Sequence, residues 1–152
     1  MAATLTVLCA SCGGGGGAAP LVAPKGGYAA EKSDPTTVAW FTQHTRVIQG
    51  LGSAPAITTS DSTNYTALLG ECQSFSHAIS AAKHLPPAPQ PSAQALLAYA
   101  ERQFSAGVTF CVSGATKMNS TDIADAGTEF TDGHQTLAYL IFGTPIPKSQ
   151  GA

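Results

Sequence analysis

From residue 34 onward, apolar side chains recur at three- and four-residue steps, and they do not alternate as a half-buried strand requires. That spacing places them on stripes along helices, and each stripe must be buried against another element. Four stripes joined by short connections predict an all-α fold, an antiparallel four-helix up-down-up-down bundle over residues 34–143. A three-helix core with a loosely docked first helix is the alternative. Composition agrees with a packed domain: 43% of the 152 residues are hydrophobic and 11% are charged. Disorder would need lower hydrophobicity or blocks of charge.

Each helix carries its own boundary signals. Asp34-Pro35 is an N-cap followed by proline at the first helical position. Val38, Phe41, Thr45 and Ile48 form one inward row, with Trp40, His44, Val47 and Leu51 beside it; Gly50 and Gly52 supply the stop. Ser60 or Asp61 is expected to cap a second helix with Tyr65, Leu68, Cys72, Phe75, Ile79 and Ala82 inward. The run Pro86–Pro91 ends that helix as an extended spacer. Ser92 is expected to cap the third, facing inward through Leu96, Leu97, Ala100, Phe104, Val108 and Cys111, with Gly114 near its end. Asn119 or Ser120 caps the fourth, with Ile123, Ala126, Phe130, His134, Leu137 and Ile141 inward, closed by Gly143 and Pro145.

Cys72 and Cys111 lie on inward faces of consecutive helices. Counted at the helical rise, Cys72 is ~18 Å before the second helix's end and Cys111 ~28 Å after the third begins. The ~10 Å mismatch closes if about three spacer residues run on at ~3.1 Å each. A disulfide between them is expected if the domain is exported to an oxidising compartment. Two buried free thiols are the alternative.

The front of the chain reads as a processing signal. Met1–Ala10 is small and apolar, and five consecutive glycines, Gly13–Gly17, follow Ser11-Cys12. The segment Leu8–Cys12 resembles a bacterial lipobox, with Ala10, Ser11 and Cys12 in pattern and Cys9 where Leu or Val is usual. The resemblance implies that Cys12 carries the lipid. A basic n-region is missing, which points to a clipped signal with the true start upstream. The expected divisions are a truncated lipoprotein signal peptide over 1–12, a flexible Gly/Ala/Pro-rich tether over 13–33, the bundle over 34–143 and a loose tail over 144–152. Cys9-Ala-Ser-Cys12 as a redox motif lacks the helix start that lowers a thiol pKa.

Chemistry-bearing motifs are sparse. Seven Lys+Arg against nine Asp+Glu gives a net charge of −2, which lacks the basic footprint of a nucleic-acid binder. There is no phosphate loop, no H-E-x-x-H, no nucleophile elbow and no C-x-x-C-H. Glu71, Glu101 and Glu129 are not followed by histidine at the di-iron spacing. His77 and His84 fall off their helix's stripe. His44 and His134 come at ~15 Å and ~12 Å from the same end of a bundle, so they form the one candidate pair for a metal or haem. A stable site needs three or four ligands with outer support, and Glu101 points to its helix's flank. The expectation is therefore no catalytic residue, no cofactor and no metal. Trp40, Phe41, Phe75, Phe104, Phe110 and Phe130 read as core; Tyr28, in the tether, is free to dock on the domain or a partner.

With its Trp-led first helix, Cys72, the Pro86–Pro91 stretch, Cys111 and a last helix rich in small residues, the chain resembles a widespread group of small actinobacterial exported domains with no assigned activity. The resemblance spans about Trp40 to Leu140, and it implies a disulfide-tied helical domain held outside the membrane. The expected protein is a non-enzymatic lipoprotein anchored on the extracytoplasmic face of the cell membrane, binding an envelope protein or small ligand. A metal- or haem-binding bundle and an enzyme of unassigned class are the alternatives.

Overall fold

Residues 34–57 and 64–142 are described by a computed structural model. Cys12, the tether, Tyr28, the Ser60 and Asp61 caps and the tail over 144–152 lie outside them. The described residues form five helices and no strand: α1 (Pro35–Gln43), α2 (Thr45–Leu51), α3 (Tyr65–Lys83), α4 (Pro91–Lys117) and α5 (Ser120–Phe142). Each packs chiefly on its neighbour in sequence. None of these helices is long and apolar enough to cross a membrane.

Asp34 caps α1 as expected, its carboxylate accepting the Thr37 N–H at 2.9 Å and the Thr37 hydroxyl at 2.9 Å. The expected first helix is corrected, because it breaks at His44 into α1 and α2. Two threonines lie beside the break. Thr45 Oγ1 donates to the Phe41 and Thr42 carbonyls, both at 2.9 Å, and Thr42 Oγ1 donates to the Val38 carbonyl. The same back-bonding by Ser105 and Thr109 in α4 and by Thr128 and Thr131 in α5 leaves those helices continuous, so it accompanies the break without explaining it. Trp40, Ile48 and Leu51 stay inside, but Val38 and Thr45 of the expected inward row are exposed.

Two further caps differ from expectation. Asn64 opens α3, its Oδ1 accepting from the Ala67 N–H at 3.3 Å. Gln90, not Ser92, precedes α4, because Pro91 takes the first helical position, where its fixed φ suits the helix and its missing N–H costs nothing. The spacer is fastened to that helix by Gln94, whose Oε1 accepts the Ala88 N–H at 2.7 Å. Gly114 lies near the end of α4, as expected. The helix runs on to Lys117, and Met118 turns the chain with a left-handed φ of 55°. Asn119 caps α5 through the Thr121 N–H, and its amide donates to Asp122, which also accepts from Ser113 of α4.

All five aliphatic, aromatic or cysteine positions from Leu68 to Ala82 on the expected α3 stripe are buried. The core centres on Phe75 of α3, whose ring meets Phe104 of α4 edge-on at 5.3 Å and Phe130 of α5 at 5.7 Å. Phe104 and Phe130 are among the largest wholly buried side chains, each contributing about 1.5–3 kcal/mol by burial. They also set the α4–α5 spacing. A Cβ at Gly107 would lie 2.6 Å from the Phe130 ring, and one at Gly133 would lie 2.6 Å from the Phe104 ring. A Cβ at Gly114 would lie 2.7 Å from the Ile123 side chain, in the same antiparallel register. Cys72 of α3 and Cys111 of α4 form a disulfide with Cα atoms 6.3 Å apart. The seven residues between α3 and α4 absorb the offset between the two cysteines' positions along their helices.

Candidate functional site

An apolar groove of about 490 Å³ opens where α1 and α2 meet the end of α5. Its apolar wall is Val38 and Phe41 from α1, Ile48 from α2, and Ile141 and Phe142 from α5. Val38 lies off the buried Thr37 and Trp40 face of α1 and so points out of the core. Three described large hydrophobic residues are exposed, and two of them, Val38 at 50% and Phe142 at 64%, lie here. Concentrating them at one concavity separates this groove from ordinary scattered surface apolarity. Thr42 and Thr45 also line it, but their hydroxyls are held by carbonyls of their own helix. They therefore present methyl groups. Gln49 adds the remaining polar side chain, and none of the described lining residues is ionisable.

A second, shallower cleft of about 430 Å³ lies between the chain after α2 and α3, over Phe75 and Ala78. Ser53, Ser74 and Glu71 supply its polar atoms, and Ser53 Oγ is engaged with the Gly50 carbonyl at 2.6 Å. A single carboxylate there lacks the partner needed for paired acid and base work.

The α4–α5 flank holds a polar seam. Gln103 is 4% exposed and donates through Nε2 to the Tyr99 hydroxyl at 3.2 Å, while its Oε1 is buried without a hydrogen-bond partner. Glu129 Oε2 is likewise buried and unpartnered. Burial pushes the Glu129 carboxyl above its ordinary value, and the nearby Asp132 and Asp125 charges push it the same way. Burial raises Asp132 as well. Burial raises the Tyr99 hydroxyl, with Asp132 the next cause. Arg102 sits over the Tyr99 ring at 5.7 Å.

The expected histidine pair finds separate partners. His44 packs against the Trp40 ring in a tilted arrangement, 4.8 Å between centroids. His134 meets the Phe104 ring at 5.4 Å, and its Nε2 is 3.3 Å from the Gly52 carbonyl. Among the described residues no group of three or more His, Cys, Asp or Glu is placed to hold a metal ion. His77 and His84 are exposed, as their positions off the stripe imply.

Sequence reasoning missed the groove and the seam. The groove depends on how α1, α2 and the end of α5 come together, for which no single stripe carries a signal. Tyr99 and Gln103, four residues apart beside the α4 stripe, carried a weak signal that polarity obscured. No protein-family model matches the chain, and no curated protein or solved structure matches it either.

Proposed function

We propose that this protein is an exported, lipid-anchored helical domain that acts by binding, with Cys12 as the acylated residue and the α1–α2–α5 groove as its binding surface. In this reading, the α1–α2 pair serves as the first leg of an up-down-up-down bundle, and residues 13–33 tether it to the extracytoplasmic face of the membrane. The observation that carries the reading is the Cys72–Cys111 bridge, with both side chains fully buried between α3 and α4. Disulfides persist in oxidising compartments, and small exported domains use them to supplement a modest core. The groove supports a binding role because ligand pockets of about 300–1,000 Å³ are mostly apolar with few polar groups.

A metal or haem site at His44 and His134 has less support, because the two rings pack on different aromatic partners. Mass spectrometry of the native N-terminus tests the reading. A diacylglyceryl group on Cys12, with the preceding residues removed, is the expected result. Recovery of the unacylated chain from cytosol with both thiols reduced would overturn it.

A further inference from the structure

We infer that the polar seam between α4 and α5 is a binding site separate from the groove, and that it takes a linear aliphatic polyamine along the acidic face of α5. Asp122, Asp125, Glu129 and Asp132 recur at three- and four-residue steps, which puts them on one face of that helix. No Lys or Arg occurs within α5 to offset them. Asp122 is already engaged by Ser113 and Asn119. The remaining three carboxylates climb the helix by ~6 Å and then by ~4.5 Å. Ammonium groups separated by three or four methylenes repeat at a similar pitch.

An acidic stripe by itself is a solvated face, but here two acceptors beside it are withdrawn from water without a donor. Gln103 is 4% exposed and its Oε1 has no hydrogen-bond partner; Glu129 Oε2 is buried in the same condition. The Tyr99 hydroxyl links the two helices. It accepts from Gln103 Nε2 at 3.2 Å, and the charges of Asp132 and Glu129 both reach it. The buried amide of α4 thus faces the same seam as the carboxylates of α5, while Arg102 is committed to the face of the Tyr99 ring. Buried acceptors are costly to leave without donors, so the group that completes them must donate hydrogen bonds and carry positive charge. Among the described residues no three His, Cys, Asp or Glu side chains are placed to hold a metal ion. An alkylammonium brings three donors on one charge, which suits two carboxylates and an amide oxygen.

The purified 152-residue chain is titrated with spermidine at low ionic strength, followed by calorimetry and by the side-chain amide NMR signal of Gln103. Saturable binding that shifts this signal is expected. Glu129→Gln, Asp132→Asn and Gln103→Met should each weaken it about tenfold or more. Glu71→Gln removes a carboxylate from α3 and should leave the affinity unchanged. Glu129→Gln keeps the test independent of folding, because it removes a half-buried charge and retains the side chain's shape.

Three results would overturn the assignment. The first is no saturable response. The second is equal weakening by Glu71→Gln, which would reduce the binding to general charge attraction. The third is tighter binding of calcium than of spermidine at matched ionic strength, lost in the same variants, which would make the seam a metal site. The groove and the lipid anchor play no part in these readouts, so failure of either is seen separately.

Discussion

Gly107 of α4 and Phe130 of α5 are mutually required: a Cβ on the glycine would stand 2.6 Å from two carbons of the ring. The reciprocal contact, Gly133 under Phe104, repeats the arrangement one turn away. Each ring fills the space that the opposite glycine leaves, so the two longest helices approach closely. This pair of contacts fixes the register that places Ile141 and Phe142 beside α1.

Gly107→Ala should therefore destabilise the fold by about 1–3 kcal/mol, because the overpacking outweighs the gain in helix propensity. Gly70 is the control. It lies in α3, is exposed, and has nothing within 4 Å of a built Cβ. Gly70→Ala should stabilise by about 0.5–1 kcal/mol. Urea unfolding of the two variants should move the midpoints in opposite directions.

Reduction of the Cys72–Cys111 bridge, which spans 39 residues of sequence, should cost about 4 kcal/mol in the chain-entropy description. Intact mass should rise by about two hydrogens on reduction, and the urea midpoint should fall with it. An unchanged mass would show two free thiols.

The pH profile of stability should have two limbs of opposite sign. Asp34 is held down to about 2 by hydrogen bonds from the Thr36 hydroxyl, the Thr37 N–H and the Thr37 hydroxyl. Its stabilisation is thus complete above its ordinary value of 3.8 and is lost as pH falls through about 2. Glu129 and Asp132 are raised mainly by burial, so the folded state binds their protons more readily than the unfolded chain. Acidification from neutral toward the ordinary carboxylate range should therefore first stabilise the protein. Asp34→Asn should remove the acid limb, and Glu129→Gln should raise stability at pH 7 and flatten the rise. Thermal melts across pH 2–8 read both effects.

The two core-margin histidines should behave independently. His134→Ala removes the Phe104 edge contact and the Gly52 carbonyl contact, for a cost of about 1–2 kcal/mol. His44→Ala removes a tilted ring contact with Trp40 alone. With no shared partner, the double variant should match the sum of the singles within about 0.5 kcal/mol. A larger coupling, or a shift in melting with added zinc or haemin, would restore the joint site.

Helix content, the inward faces of α3, α4 and α5, and the cysteine pair were legible from sequence by itself, because burial demands one apolar face per helix and that demand is local and periodic. Asp34, Pro35 and Asn119 marked boundaries for the same reason: a cap satisfies backbone groups within its own turn. Only the tertiary structure decided what depends on residues distant in sequence. It showed that Gly107, Gly133 and Gly114 are sites of close helix approach, that Val38 faces outward from α1, and that Phe142 arrives beside it. Periodicity reports which side of a helix is buried, whereas a groove is made by the relative placement of three helices, which no single stripe encodes.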